Sequence, residues 1–231
     1  MKLTVVIPVY NEAATIKAIL QAIRSVPLEK EILVVDDGST DGTREALERL
    51  DSAADVRILR HERNRGKGAA LRTGFQAARG EVVVIQDADL EYDPAEYPRL
   101  IEPILTGRAE AVYGSRFAAA PGGRWWHVAG NRLLTCLSNL LTGLDLTDME
   151  TGHKAFRRDV LRTIEIQENR FGVEPEITAR LAARGCRILE IPIAYRPRSR
   201  AEGKKIGFKD ALRTLWCIVK YSRGRIRRRD L

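Results

Sequence analysis

LTVVIPVYNEAATIKAILQAIRSVPLEKEILVVDD, residues 3–37, reads as strand, helix, strand. Residues 3–9 and 31–36 are short, β-branched, continuously apolar runs, which suits strands buried on both faces. Between them Ile16, Ile19, Leu20 and Ile23 recur at helical spacing. The rhythm continues outward. Residues 56–59, 81–85, 110–113 and 187–191 are further strand candidates, and 41–50, 66–79, 94–106 and 176–184 read as helices. Such alternation implies an α/β chain with a Rossmann-like, mostly parallel sheet flanked by helices and joined by right-handed crossovers. Ligands of such sheets bind at the carboxyl ends of the strands, so chemistry is to be sought there.

At 231 residues the chain is long enough for one sizeable core, and 44% hydrophobic with 30% charged residues excludes wholesale disorder or a fibrous repeat. The formal charge of +8 is uneven: residues 196–231 hold 13 Lys and Arg against 3 Asp and Glu, which leaves a net −2 for the first 195. Cys136, Cys186 and Cys217 are scattered in apolar surroundings, without CxxC pairing, as expected of thiols acting as small hydrophobes in a reducing cytoplasm. The N-terminal apolar run contains Pro8 and follows no basic leader, so it reads as a first strand and not as a signal peptide. No stretch reaches the roughly 18 unbroken apolar residues of a spanning helix.

Polar residues crowd the ends of the strand candidates. The first runs into Pro8-Val9-Tyr10-Asn11-Glu12 and the second into Asp36-Asp37-Gly38-Ser39-Thr40-Asp41. Turn and capping chemistry accounts for such residues. Two consecutive aspartates are nevertheless more acid than one cap requires, and a carboxylate there can read base N–H or ribose hydroxyl donors. The fourth strand ends in Gln86-Asp87-Ala88-Asp89-Leu90-Glu91. On an extended strand end, residues two apart point the same way, so Asp87, Asp89 and Glu91 are expected to converge on one hard divalent cation. Such a cation neutralises a departing diphosphate. Asn64-Arg-Gly-Lys67-Gly68 opens a helix and offers backbone N–H groups to phosphate, or is an ordinary helix start. It is not a P-loop, and no GxGxxG follows the first strand.

The ordered set VVIPVYNE, VVDDGSTDGT, NRGKGAALRTG, QDADLE, YGSRF, DMETGHKAFRRDVL and EIPIAYRPRSRAEGKKI, spread from residue 3 to about 210, resembles the inverting family 2 glycosyltransferases that include dolichyl-phosphate mannosyltransferase. The resemblance implies a GT-A fold, a nucleotide-diphosphate sugar donor of the GDP-mannose or UDP-glucose type, Mg2+ or Mn2+, and inversion at the anomeric carbon. It implies that Pro8, Tyr10, Glu12, Asp36, Asp37, Lys67, Asp87 and Ala88 lie about the donor, with Asp87, Asp89 and Glu91 around the metal. Arg116 and Arg132 would face phosphate, and Arg198, Lys204 and Lys205 would sit on a loop closing over the site. Asp89, Arg116, Asp148 and Glu150 are the candidate catalytic residues. Glu150 and Cys136 depart from the family pattern, where Asp or Thr and a Ser often stand.

Chemistry independently favours a phosphate acceptor, and the resemblance implies that it is a polyprenyl phosphate. A sugar hydroxyl needs a placed base, for which Glu150 is the candidate, whereas a phosphate arrives anionic and needs cations. Residues 1–207 are expected to form the catalytic domain. Residues 208–231 are expected to form an amphipathic helix of about 208–222 and an Arg-rich tail, the pattern of an interfacial anchor on anionic lipid. Relatives frequently continue into transmembrane helices, so peripheral attachment at the cytoplasmic membrane face is the corresponding expectation. The leucine stripe Leu133, Leu134, Leu137, Leu140, Leu141 and Leu144 fits core better than membrane contact. A nucleic-acid arm is the third reading of the basic tail, but no nucleic-acid motif accompanies it and the DDGS and DAD acids would be purposeless.

Overall fold

Seven strands form one sheet in the order β3-β2-β1-β4-β6-β5-β7, in a computed structural model that describes residues 2–50, 55–118, 125–197 and 208–229. The strands are β1 Leu3–Val9, β2 Lys30–Asp36, β3 Val56–Arg60, β4 Val82–Ile85, β5 Ala111–Ser115, β6 Lys154–Arg157 and β7 Ile188–Pro192. All neighbours run parallel except β6, which is antiparallel to both β4 and β5. The six strands read from sequence are present with ends shifted by at most two residues. β6 was not foreseen. Its four residues begin with a lysine, so no apolar run announces it.

Helices cover both faces. α1 Ile16–Ser25, α2 Thr43–Leu50 and α4 Tyr97–Leu105 lie on one side, and α3 Lys67–Ala77, α5 Trp125–Thr142, α6 Arg158–Thr163, α7 Val173–Ala183 and α8 Phe208–Arg229 on the other. Strand alternation makes the two cores. Leu3, Val5, Ile7 and Val9 of β1 join the first, while Val6 joins the second with Leu33, Val83 and Ile85. Ile16, Ile19, Leu20 and Ile23 are fully buried on α1. At about 1.5–3 kcal/mol for each buried aliphatic side chain, that stripe outweighs the few tenths per residue lost to β-branching in a helix.

α8 extends the helix expected over 208–222 to Arg229. It packs against α5 and α7, burying Thr214, Cys217, Ile218 and Ser222. Ile218 belongs to the same core cluster as Val6 and Phe156. Buried Glu168 pins the helix by accepting hydrogen bonds from Arg213 Nε (3.1 Å) and Nη2 (2.9 Å) and from the Tyr221 hydroxyl (2.8 Å). The leucine stripe on α5 is split: Leu134, Leu137, Leu141 and Leu144 pack on the core, whereas Leu133 and Leu140 are 72% and 77% exposed. Cys217 is buried as expected, but Cys136 is exposed. Among the described residues no helix is long and apolar enough to cross a membrane.

Removing one partner of a buried ion pair costs about 3–5 kcal/mol, and solvent around half-exposed Arg213 reduces this. Glu168→Ala is therefore expected to destabilise the fold by roughly 1–3 kcal/mol, measured as a lower urea midpoint at unchanged slope.

Candidate active site

β1 is where the chain order reverses: β2 lies on one side and β4 on the other. β4 pairs only with residues 3–6 of β1, whereas β2 runs beside it as far as Val9. β1 thus loses one neighbour where β4 ends, and that end of the switch point is the crevice position at which open α/β sheets bind ligands. Pro8, which has no N–H to donate, falls on that one-sided stretch. Tyr10 and Glu12 are half-buried just beyond it.

The acid-rich segment after β2 organises the rim. Ser39 Oγ accepts a hydrogen bond from Asn11 N (3.0 Å), Thr43 Oγ1 from Glu12 N (2.9 Å) and Asp41 Oδ2 from Ala13 N (3.1 Å). Asp36 is buried, accepts from Ser39 N (2.9 Å) and pairs with Arg44 Nε (3.3 Å). Asp37, also buried, accepts from Arg65 N (3.0 Å) and Gly66 N (2.6 Å), and its Oδ1 lies 2.6 Å from His61 Nδ1. Turn chemistry thus accounts for much of this motif, and Asp37 shapes the loop that opens α3. The backbone carbonyls of Glu168 and Asn169 lie against Gly68 and Gly66 so closely that a Cβ at either glycine would collide with them. Gly66 also has φ +100°, a second reason for glycine there.

That loop delivers Lys67, the first residue of α3, to the acids after β4. Its ammonium lies 2.9 Å from Asp87 Oδ1 and 3.1 Å from Glu174 Oε1. Burial works to lower the Lys67 pKa, but Asp87 and Glu174 overcome it and hold the group charged, well above its ordinary value. The geometry of the acids differs from the expectation. β4 stops at Ile85, and residues 88–91 turn, with Leu90 at φ +63°, a conformation rare for a large side chain. The two-residue alternation of an extended strand therefore does not apply. Asp87 faces Lys67, Glu91 Oε2 accepts from the Tyr195 hydroxyl (2.8 Å), and Asp89 Oδ1 accepts from Glu91 N (3.2 Å). No group of three metal-ligating side chains is gathered among the described residues. The Ala88 methyl packs into the core. The residues present still fit Mg2+ or Mn2+: hard carboxylate oxygens on Asp87 and Asp89 are the donor type such ions take, usually one or two together with substrate phosphates. The ammonium of Lys67 already marks the Asp87 carboxylate as a cation site.

The opposite wall comes from the ends of β5 and β7. Arg116 grips Asp148 in a bidentate pair, with Nε to Oδ2 and Nη2 to Oδ1 both 2.7 Å, and Asp148 is fully buried. The guanidinium carbon lies 5.2 Å from the centre of the Tyr195 ring. Tyr92 closes the wall, 5.4 Å from Tyr195 and stacked at 5.2 Å on His153, and its hydroxyl accepts a hydrogen bond from Gly152 N (2.9 Å).

Behind lie three buried ionisable groups. Burial, reinforced by Glu174, pushes the Glu150 carboxyl up to about 8, and its Oε1 has no hydrogen-bond partner. Burial pulls the Lys154 ammonium down to about 8 against the neighbouring acids, while it donates to Met149 O (2.9 Å) and Thr151 O. His153 is lowered to about 4 by burial and is neutral. Arg132 is exposed on α5, and no hydrogen bond or ion pair among the described residues links it to these groups. Arg198, Lys204 and Lys205 lie outside the described residues. Sequence reasoning missed Tyr92, Tyr195, Lys154 and Glu174. Only Glu174 left a trace, as an acid in the first turn of a helix, and that pattern ordinarily marks an N-terminal dipole contact.

The sequence pattern described as Glycosyl transferase family 2 matches residues 4–165. The chain is 35% identical over 219 residues to the undecaprenyl-phosphate mannosyltransferase of Micrococcus luteus, covering 90% of this chain and 88% of that protein. It is 31% identical over 232 residues to the dolichol-phosphate mannosyltransferase of Pyrococcus furiosus, covering 96% of this chain but 64% of that longer protein. Glucosyl-3-phosphoglycerate synthase from Mycobacterium tuberculosis, crystallised with Mn2+, uridine diphosphate and glucosyl-3-phosphoglycerate, superposes with a TM-score of 0.75 at 24% identity, over 96% of this chain and 80% of that one. At that identity the likeness carries the fold, the GT-A fold that the motifs imply.

The Glu150 carboxyl binds its proton more tightly in the folded than in the unfolded chain, so the stability it contributes is complete below the ordinary carboxylate range and lost as pH rises to about 8. Relative to Glu150→Gln, the wild type should lose stability steadily from about pH 5 to about pH 8 and level off above. Urea titrations of both proteins across that range check this.

Proposed function

Because the chain belongs to glycosyl transferase family 2, we propose that this glycosyltransferase moves a hexosyl unit, with inversion, from a nucleotide-diphosphate sugar of the GDP-mannose or UDP-glucose type to a polyprenyl phosphate. Support comes from relatives named for undecaprenyl and dolichol phosphate acceptors, and above all from two half-buried cations, Lys67 beside Asp87 after β4 and Arg116 held by Asp148 after β5. An anionic acceptor must approach an anionic donor, and those cations offset the repulsion.

In the step itself an acceptor phosphate oxygen attacks the anomeric carbon from the face opposite the leaving group. The bond from that carbon to the diphosphate breaks, and the nucleoside diphosphate departs with the electron pair. No proton has to leave the acceptor, so no general base is required. Asp87 and Asp89 would hold Mg2+ or Mn2+, which supplies charge neutralisation to the leaving diphosphate. Lys67 adds a cation on the same side. Arg116 is fixed through Nε and Nη2 by Asp148 and offers its remaining nitrogen to the acceptor phosphate. Pro8, Tyr10 and Glu12 at the rim, with the segment shaped by Asp36 and Asp37, take the nucleoside.

One observation favours a second acceptor class. A carboxyl titrating near 8 is well matched to act as a base toward a hydroxyl, which would make Glu150 catalytic for a saccharide acceptor.

Attachment to a membrane surface follows from α8 and its neighbour α5. Leu212 and Trp216 are 54% and 46% exposed, Leu133 and Leu140 on α5 more so, and the sequence of α8 ends in Arg223, Arg225, Arg227, Arg228 and Arg229. Exposed aliphatic and aromatic side chains followed by clustered arginines suit the headgroup layer of an anionic bilayer. In this reading the surface of α8 and α5 meets the lipid acceptor at the cytoplasmic face of the membrane.

Incubation with Mg2+ or Mn2+, a panel of GDP- and UDP-sugars and a short polyprenyl phosphate should yield a glycosylated lipid phosphate. Asp89→Asn should lower turnover by orders of magnitude while the circular dichroism spectrum is kept; full activity in that variant would falsify the metal assignment. Glu150→Gln should change the rate only a few-fold with a phosphate acceptor, and a loss above about a hundred-fold would instead select the hydroxyl reading. Leu212→Glu with Trp216→Glu should weaken binding to anionic liposomes, and binding that is indifferent to both charges and to salt would remove the surface from consideration.

A further inference from the structure

Lys67 lies between two carboxylates, and the function proposed above calls on only one of them. Asp87 Oδ1 is 2.9 Å from the ammonium and Glu174 Oε1 is 3.1 Å from it. Glu174 is 8% exposed, and its second oxygen, Oε2, is buried without a hydrogen-bond partner. A half-satisfied buried carboxylate is costly, and so is a buried ammonium stripped of its partner. The ammonium shared between two carboxylates leaves Asp87 with an oxygen-donor carboxylate that a further cation can take.

We propose that Glu174 is a positioning residue that keeps Lys67 at the crevice when Asp87 exchanges this ammonium for a divalent cation. The inference rests on the metal reading given above. Two positive charges cannot share the Asp87 carboxylate cheaply, so Lys67 must yield as the metal arrives. With Glu174 present the ammonium transfers its weight to a carboxylate already within contact, and the spare lone pairs of Glu174 accept it without displacing another donor. Lys67 then stays charged and aimed at the side of the crevice where the diphosphate departs. Without Glu174 the ammonium has Asp87 as its sole anionic neighbour of the two, and competes with the metal for it. Glu174 stands in the first turn of α7, at the end of the helix where an acidic side chain is favoured.

Mn2+ uptake by the protein, followed by the electron paramagnetic resonance of the free ion with GDP or UDP present, tests the idea without turnover. Glu174→Gln should weaken Mn2+ binding about ten-fold in the wild-type background, and by less than about three-fold in a Lys67→Met background, since the competitor is then gone. In the steady state the single variant should raise the donor KM and the Mn2+ requirement while kcat at saturation stays within a few-fold. Equal losses in both backgrounds, or none in either, overturn the proposal. Wild-type protein that takes up no Mn2+ with nucleotide would sink the metal reading and this one with it, whereas uptake indifferent to Glu174 leaves the metal reading standing and removes only this one. Urea midpoints of all four proteins keep a folding defect from being mistaken for either result.

Discussion

A half-buried ammonium needs anionic partners in fixed places, and Lys67 finds them because three separate parts of the chain meet around it. α3 brings the lysine, the turn after β4 brings Asp87, and α7 brings Glu174. Each part is held by something else. Asp37 gathers the backbone N–H groups of Arg65 and Gly66 and so fixes where α3 starts, while the carbonyls of Glu168 and Asn169 press on Gly68 and Gly66 from the α7 side. The same Glu168 anchors α8 through Arg213 and Tyr221. One short segment therefore touches both the helix proposed to lie on lipid and the loop that presents Lys67. α8 and the loop that presents Lys67 are thus joined through residues 168 and 169.

How much of this was legible in the sequence depended on the scale of the signal. Six strands were visible because parallel strands buried on both faces are nearly unbroken apolar runs, and α1 was visible because Ile16, Ile19, Leu20 and Ile23 keep helical period. β6 was invisible because a buried lysine interrupts it. Lys154 is tolerated there by two backbone carbonyls and by the Tyr113 ring 4.4 Å away, none of them near it in a strand pattern. The acids after β4 were found, but their directions were not. That reasoning assumed extended backbone, whereas Leu90 takes a left-handed conformation that sends Glu91 toward Tyr195. Partnerships across the sheet, such as Arg116 with Asp148 or Lys67 with Glu174, leave no mark on local sequence. They follow from strand order alone.

The two aspartates after β2 teach a related point about motifs. Their types and spacing suggested ligands, and turn chemistry was the rival explanation. The structure shows both acids buried and accepting protein hydrogen bonds. A motif can be indispensable to a site and still act one step removed, by fixing the loops that touch the ligand. For Asp37 the step is short: its carboxylate holds Gly66, and Gly66 precedes Lys67.

The balance of charge behind the crevice bears on which acceptor the site suits. Asp148 and Arg116 neutralise one another, and Glu150 keeps its proton to well above the ordinary carboxylate range. Near neutral pH this wall therefore presents little net negative charge, and Arg116 presents donors. A protonated Glu150 can itself donate to a phosphate oxygen. To serve as a base it would first have to lose that proton beside Glu174 and Asp148, both of which oppose the ionised form. An anionic nucleophile meets a wall already prepared for it, whereas a neutral hydroxyl would require the wall to take on a charge that its surroundings resist. The same burial that makes Glu150 resemble a base thus weighs, at neutral pH, toward the acceptor that needs none.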